Sequence, residues 1–129
     1  MAWLIDTDVA IHLRDGSPDI TTRVLALESI PAMSVVTQVE LEAGAVNDGR
    51  RTALLKRLLE TIPTLAFGAP EAAAYGKIVA SLGYDRRKVL DRMIAAQALT
   101  TDRQLITING RDFRDIPGLA LEVWPAPSA

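Results

Sequence analysis

The chain has 129 residues, of which 49% are apolar and 23% charged, a composition typical of one globular domain with a hydrophobic core. The absence of cysteine excludes disulfides, zinc–thiolate sites and thiol catalysis, and the formal net charge of −2 excludes a uniformly basic nucleic-acid binder. The first residues lack a secretion signal and no apolar run approaches a membrane span, so we expect a cytoplasmic protein with one domain over residues 1–129.

The first part of the chain alternates short apolar runs with helical patterns. Residues 3–5 predict a buried strand, and residues 7–13 predict a short helix. A Ser-Pro pair marks the start of a second helix, which should cover about 17–27. Residues 32–36 then predict a second strand.

The same alternation continues to the end of the chain. The further predicted elements are helices at 37–47 and 51–60, a short strand at 63–65, helices at 70–82 and 88–100, and strands at 105–108 and 121–123. Strands separated by helices favour a layered α/β fold with a mainly parallel sheet. Right-handed crossovers place the carboxyl ends of such strands along one edge.

Four acidic residues occupy positions that this fold brings toward that edge. Asp6 follows the first strand, and Glu40 opens a helix. Asp91 lies near the start of an alanine-rich helix, and Asp112 follows the strand at 105–108. A cluster of carboxylates with water is the kind of site that holds Mg²⁺ or Mn²⁺. Such a metal suits the hydrolysis of a phosphodiester.

The first two acids also have ordinary structural explanations. Asp6 is a favoured residue for capping the next helix, and Thr37 with Glu40 fits a capping box. Glu42 competes with Glu40, because two positions on a helix differ by about 200° and cannot both face one site. Position alone does not choose between these two glutamates.

The later acids have alternatives as well. Asp91 could be an acid favoured by the helix dipole, although its apolar neighbours make a charge costly unless it has a partner such as a metal. Asp112 follows an Asn-Gly turn signal. Asn109 lies nearer the strand end and could fill the fourth position as a neutral ligand.

Basic residues interleave with the later acids, as a site that cleaves a polyanion requires. Seven of the fourteen basic residues fall in this part of the chain, namely Arg86, Arg87, Lys88, Arg92, Arg103, Arg111 and Arg114. Among them Arg86, Arg87, Lys88 and Arg111 are candidates for holding the phosphates of such a polyanion, although each could equally be a solvated surface charge. The single histidine, His12, is interpreted as a structural or surface residue.

Taken in order, these motifs resemble the PIN-domain ribonucleases, and among them the VapC-type toxins of bacterial toxin–antitoxin pairs. The resemblance covers nearly the whole chain. It rests on Leu-Ile-Asp-Thr-Asp-Val at 4–9, Ser-Val-Val-Thr at 34–37 with Glu-Leu-Glu-Ala-Gly at 40–44, Asp-Arg-Met-Ile-Ala-Ala-Gln-Ala-Leu at 91–99, Thr-Ile-Asn at 107–109 with Asp-Phe at 112–113, Ile-Pro-Gly-Leu at 116–119, and Val-Trp at 123–124.

The resemblance implies particular site residues, a fold and an activity, which the spacing of the acids alone does not. The family's E-L-x-x-G pattern matches Glu40, and its first and third acids fall on Asp6 and Asp91. Many members have an acid where this chain has Asn109, and the toxin-like group often has one where this chain has Asp112. The family also implies a three-layer α/β/α PIN-like domain, commonly a homodimer. Such a domain cleaves RNA with Mg²⁺ or Mn²⁺ and is blocked by a cognate antitoxin.

Two other functions remain open at this point. The Leu4–Asp8 segment is also how HAD-type phosphatases begin, with Asp6 as nucleophile and a strict need for Asp8, but no downstream lysine and paired-aspartate motif follows. The other alternative is an inactive PIN fold that serves as a binding module, an alternative raised by Asn109.

Overall fold

The computed structural model describes residues 1–128, in which five parallel strands form one sheet in the order β3-β2-β1-β4-β5. The strands are β1 (Trp3–Ile5), β2 (Ala32–Ser34), β3 (Thr64–Leu65), β4 (Gln104–Thr107) and β5 (Leu121–Val123). The central strand is β1, in which Leu4 lies opposite Ala32 on one side and Leu105 on the other. The predicted parallel sheet is therefore confirmed.

Six α-helices connect or flank these strands. They are α1 (Thr7–Arg14), α2 (Pro18–Leu25), α3 (Val35–Gly44), α4 (Gly49–Thr61), α5 (Ala69–Leu82) and α6 (Val89–Thr100). Two 3-10 turns, Arg86–Lys88 and Gly110–Asp112, precede α6 and follow β4. None of the helices described over residues 1–128 is both long and apolar enough to cross a membrane.

The sheet separates two apolar clusters because successive side chains of a strand point to opposite faces. Trp3 and Ile5 pack with residues of α1, α2 and α4. Leu4 points to the other face, into a cluster formed with α5 and α6. Both faces of the sheet are thus covered by helices, which confirms the three-layer α/β/α fold.

The start of α3 corrects two sequence predictions. The strand predicted over 32–36 ends at Ser34, whose hydroxyl caps α3 by accepting a 3.1 Å hydrogen bond from the Val36 amide. The capping box predicted for Thr37 and Glu40 is wrong as well, because both residues lie inside the helix. The cap at Ser34 outweighs the strand preference of the two valines that follow it.

Four leucines form an apolar stripe on α4, a pattern that could serve either the core or a dimer interface. Leu55 and Leu58 are buried in the cluster that covers Trp3 and Ile5, while Leu54 and Leu59 are half-buried. The stripe is therefore accounted for within one copy of the chain and gives no argument for dimerisation.

Candidate active site

The topology brings the predicted acids to one edge of the sheet. Asp6 directly follows the central strand, β1. Glu40 lies on α3, which follows the neighbouring strand β2, and Asp112 lies on the 3-10 turn after the other neighbour, β4. Asp91 is in the first turn of α6, which packs against α3. Four segments that are distant in sequence therefore meet at the carboxyl end of the sheet, where α/β folds hold ligands.

Asp6 is both a helix cap and a buried acid of this edge. Its side chain accepts a 2.9 Å hydrogen bond from the Val9 amide, which caps α1. The other carboxylate oxygen accepts a 2.5 Å hydrogen bond from the Thr107 hydroxyl at the end of β4. Only 4% of Asp6 is exposed. The capping explanation is therefore correct, yet it leaves the carboxylate facing the neighbouring strand end.

Burial dominates the titration of Asp6. Its pKa is raised to about 7, mainly because burial removes solvent from the carboxylate. The hydrogen bonds from Thr107 and Val9 lower the pKa, and the charges of Asp8 and Asp91 contribute smaller increases to the same value. Asp6 therefore lies within electrostatic range of an acid on α6, 85 residues further along the chain, as a shared site requires.

Glu40 turns toward α1, whereas Glu42 does not. The Thr7 hydroxyl donates a 2.6 Å hydrogen bond to the Glu40 carboxylate and lies 3.1 Å from the Thr37 hydroxyl. Glu42 is exposed, and its carboxylate accepts a hydrogen bond from Gln38 on the helix surface. Of these two glutamates, the structure brings Glu40 to the acidic edge.

The pKa of Asp91 depends on burial and on the charges of the acids around it. This pKa is raised to about 6, mainly by desolvation and then by the charges of Asp112, Glu40 and Asp8, while Lys88 lowers it. Because Coulomb interactions weaken with distance and screening, each of these carboxylates must lie near enough to Asp91 to act on it. A bound cation would offset this repulsion of Asp91.

The fourth position has two candidates in the structure. The charge of Asp112 raises the pKa of Asp91. The side-chain amide of Asn109 instead donates a hydrogen bond to Asp8, and its backbone amide donates to the Thr107 hydroxyl at 2.9 Å. Asn109 thus ties the end of β4 to α1, while Asp112 contributes charge.

The donor set matches the chemistry of a hard divalent cation. All of these side chains offer oxygen, the ligand preferred by Mg²⁺ and Mn²⁺. Within residues 1–128, the side chains as they lie do not form a set of three acidic or histidine ligands around one point. Mg²⁺ keeps several waters and uses one or two protein carboxylates directly, so the group fits an ion held partly through water.

The basic residues near this edge divide into structural and free ones. Arg92 is buried and donates a 2.6 Å hydrogen bond to the Gly83 carbonyl, and Arg103 donates to the Trp3 carbonyl at 3.3 Å. Arg111 and Arg114 are exposed. Arg86 and Arg87 are exposed as well, on the 3-10 turn before Asp91, but Arg87 is not free because it forms a 3.7 Å ion pair with Asp85.

Three residues of this edge were not selected from the sequence. Thr7 and Thr107 hold Glu40 and Asp6 by hydrogen bonds, and Asp8 adds charge beside Asp6 and Asp91. Only their positions in the sequence could have indicated them: Thr7 and Asp8 directly follow Asp6, and Thr107 is the last residue of β4. Their partners lie far away in sequence and could not be identified from it.

This geometry is that of a parallel α/β domain with an acidic edge, and comparison with known proteins assigns it to a family. The PIN domain family model matches residues 3–119. The chain is 30% identical to "Ribonuclease VapC" of Rickettsia bellii (strain RML369-C), over 98% of both chains. It is 28% identical to "tRNA(fMet)-specific endonuclease VapC" of Shigella flexneri, over 96% of this chain and 98% of that one.

Solved structures agree with the sequence relatives. A chain of DNA-bound VapBC from Salmonella typhimurium superposes with a TM-score of 0.84 and 27% identity, over 96% of this chain and 98% of that one. The chain belongs to the PIN domain family, and its relatives are VapC ribonucleases. The resemblance inferred from the sequence motifs is therefore confirmed.

Proposed function

We propose that this chain is a metal-dependent endoribonuclease and the toxin of a type II toxin–antitoxin pair, acting as one PIN domain. The observation that supports this most strongly is the convergence of Asp6, Glu40, Asp91 and Asp112 at the carboxyl edge of the sheet, in a chain that belongs to the PIN domain family. The family match speaks against the phosphatase alternative. The other alternative is an inactive binding module, which an assay of RNA cleavage distinguishes from a nuclease.

In this proposal, Asp6, Glu40 and Asp91 hold Mg²⁺ or Mn²⁺, and Asp112 or Asn109 completes the set. The bound ion supplies an activated water for attack on a phosphodiester and offsets charge on the leaving oxygen. Thr7 and Thr107 fix the orientation of Glu40 and Asp6 through their hydrogen bonds. Burial keeps bulk water away from Asp6, which strengthens its interaction with a cation.

The decisive test is RNA cleavage by the purified protein. With Mg²⁺ or Mn²⁺ the protein should cut RNA that contains single-stranded segments, and EDTA should stop the reaction. Transfer RNA is the first substrate to try because one relative is named for cleaving tRNA(fMet). Undiminished cutting in EDTA would overturn the metal mechanism, and no cutting under any condition would favour the inactive alternative.

Amide variants test the residues. Asp6→Asn, Glu40→Gln and Asp91→Asn should each lower the cleavage rate by at least about 100-fold, since the loss of a residue that merely supports a ligand already costs 10–100-fold. Circular dichroism should show that the variants remain folded. Full activity in Asp91→Asn would exclude it as a metal ligand.

The proposed partners are RNA, a cognate antitoxin and a second copy of the chain. The antitoxin proposal rests on relatives solved as VapBC complexes. Coexpression with the product of a small adjacent reading frame should yield a stable complex that lacks ribonuclease activity. Light scattering of the purified chain would test the homodimer. Because the substrate is RNA, we propose that the protein acts in the cytoplasm.

A further inference from the structure

A polar cleft opens beside the acidic group. It has a volume of about 360 Å³ and lies between the 3-10 turn Gly110–Asp112 and the last strand. Asn109, Asp112, Arg114 and Val123 contribute to its lining. The cleft and the acidic group share Asp112, whose charge acts on Asp91, so a ligand in the cleft lies next to the proposed metal ligands.

Gly110 makes room for an arginine in this cleft. A β-carbon at position 110 would lie 2.9 Å from Nη2 of Arg114 and 2.8 Å from Cγ2 of Val123. These distances are shorter than real β-carbons adopt, so the Arg114 guanidinium lies directly against the glycine backbone. A larger residue would push the guanidinium from its present place.

Two arginines line this cleft, Arg111 and Arg114, and neither has an acidic partner among residues 1–128. Over residues 1–128, Arg111 and Arg114 make no ion pair and no side-chain hydrogen bond, and both are exposed. Asp112 lies two residues before Arg114 without pairing with it. Free guanidinium groups have donors arranged in a planar fork that matches phosphate oxygens.

We infer that Arg114, seated against Gly110 and assisted by Arg111, binds an RNA phosphate other than the one that is cut. This inference rests on the proposed function and extends it by assigning a subsite on the β5 side of the acidic group. The acids hold cations, so the substrate phosphates that flank the cut need separate positive charges, and this cleft provides two of them.

The test measures RNA binding without cleavage. A fluorescent single-stranded RNA oligonucleotide is titrated in EDTA at several KCl concentrations, and anisotropy gives Kd. Arg114→Ala should weaken binding roughly 10-fold, the size of one lost charge-assisted hydrogen bond. It should also reduce the slope of log Kd against log[KCl] by about 0.7, as for one phosphate contact on a single strand.

Arg50→Ala is the matched control, because Arg50 is an exposed arginine on α4 and its loss changes the net charge equally. It should leave the slope unchanged. Gly110→Ala should weaken binding in the wild-type background but add little in Arg114→Ala, and a thermal melt of each variant checks folding. Additive effects of the two substitutions would overturn the seating of Arg114 by Gly110.

The remaining outcomes separate the two proposals. If the wild-type protein cuts RNA but Arg114→Ala binds it as Arg50→Ala does, the subsite is wrong and the nuclease stands. If RNA binding depends on Arg114 but Mg²⁺ and Mn²⁺ support no cutting, the subsite stands and the nuclease is wrong.

Discussion

The Thr7 hydroxyl donates a 2.6 Å hydrogen bond to the Glu40 carboxylate, joining the first residue of α1 to the middle of α3 across 33 positions of sequence. Asp6 immediately precedes Thr7 and is buried beside Thr107. One dipeptide therefore supplies one acid of the site and orients a second. This arrangement makes Thr7 a positioning residue whose effect should appear in the metal dependence of the reaction.

Replacing Thr7 by valine keeps the shape of the side chain but removes its donor. We expect the Mg²⁺ concentration at half-maximal rate to rise roughly 10-fold, as for other residues that orient a metal ligand. Thr7→Ser retains the hydroxyl and should restore the wild-type value. An unchanged Mg²⁺ dependence in Thr7→Val, measured from initial rates, would show that the hydrogen bond has no positioning role.

The two glutamates of α3 provide a comparison within one helix. Glu40→Gln should lower cleavage by at least about 100-fold, whereas Glu42→Gln should leave it within about two-fold, because Glu42 is exposed and bonded only to Gln38. Both substitutions remove one negative charge, so a difference between their cleavage rates reflects where each glutamate lies on the helix. Equal losses in initial rate for the two variants would contradict the assignment of Glu40.

The raised pKa values predict an unusual pH dependence of stability without metal. The pKa of Asp6 is about 7 in the folded protein and about 3.9 when unfolded. Between these values the folded state binds more protons, so the free energy of unfolding falls as pH rises. Asp91, with a pKa of about 6, acts in the same direction.

Thermal melts in EDTA should therefore show a midpoint that decreases from about pH 5 to about pH 8. Asp6→Asn should flatten this dependence because the amide does not titrate. Mg²⁺ binds only the ionised acids, so it should raise the midpoint more at the higher pH. A midpoint that increases over this range in EDTA would contradict the raised pKa values.

A buried amide predicts a separate effect on stability. Gln97 is 1% exposed, accepts a 2.9 Å hydrogen bond from the Ser34 hydroxyl and donates at 3.1 Å to the Ala66 carbonyl. Gln97→Ala removes the buried acceptor of the Ser34 hydroxyl and opens a cavity, so it should cost about 2–4 kcal/mol. Urea unfolding measures this loss, and a change below about 0.5 kcal/mol, typical of a surface site, would contradict it.

The sequence motifs selected four acids that the fold brings to one edge of the sheet, because a strand end or helix start is a local feature. The same local reasoning misplaced the start of α3, since the valines at 35 and 36 favour a strand and only the Ser34 hydroxyl shows that the helix has begun. It could not find the contact of Thr7 with Glu40, which exists only after the helices pack. Nor could it distinguish the buried Arg92 from the exposed Arg114.

The pairing of β1 with β4 also determines when the protein acquires its chemistry. Asp6 and Thr107 are 101 residues apart, and the strand that carries Thr107 docks only after most of the chain has been synthesised. A nascent chain on the ribosome therefore holds its first acid without the neighbour that orients it. If the chain cuts RNA as proposed, we therefore expect it to gain that activity only when translation is nearly finished.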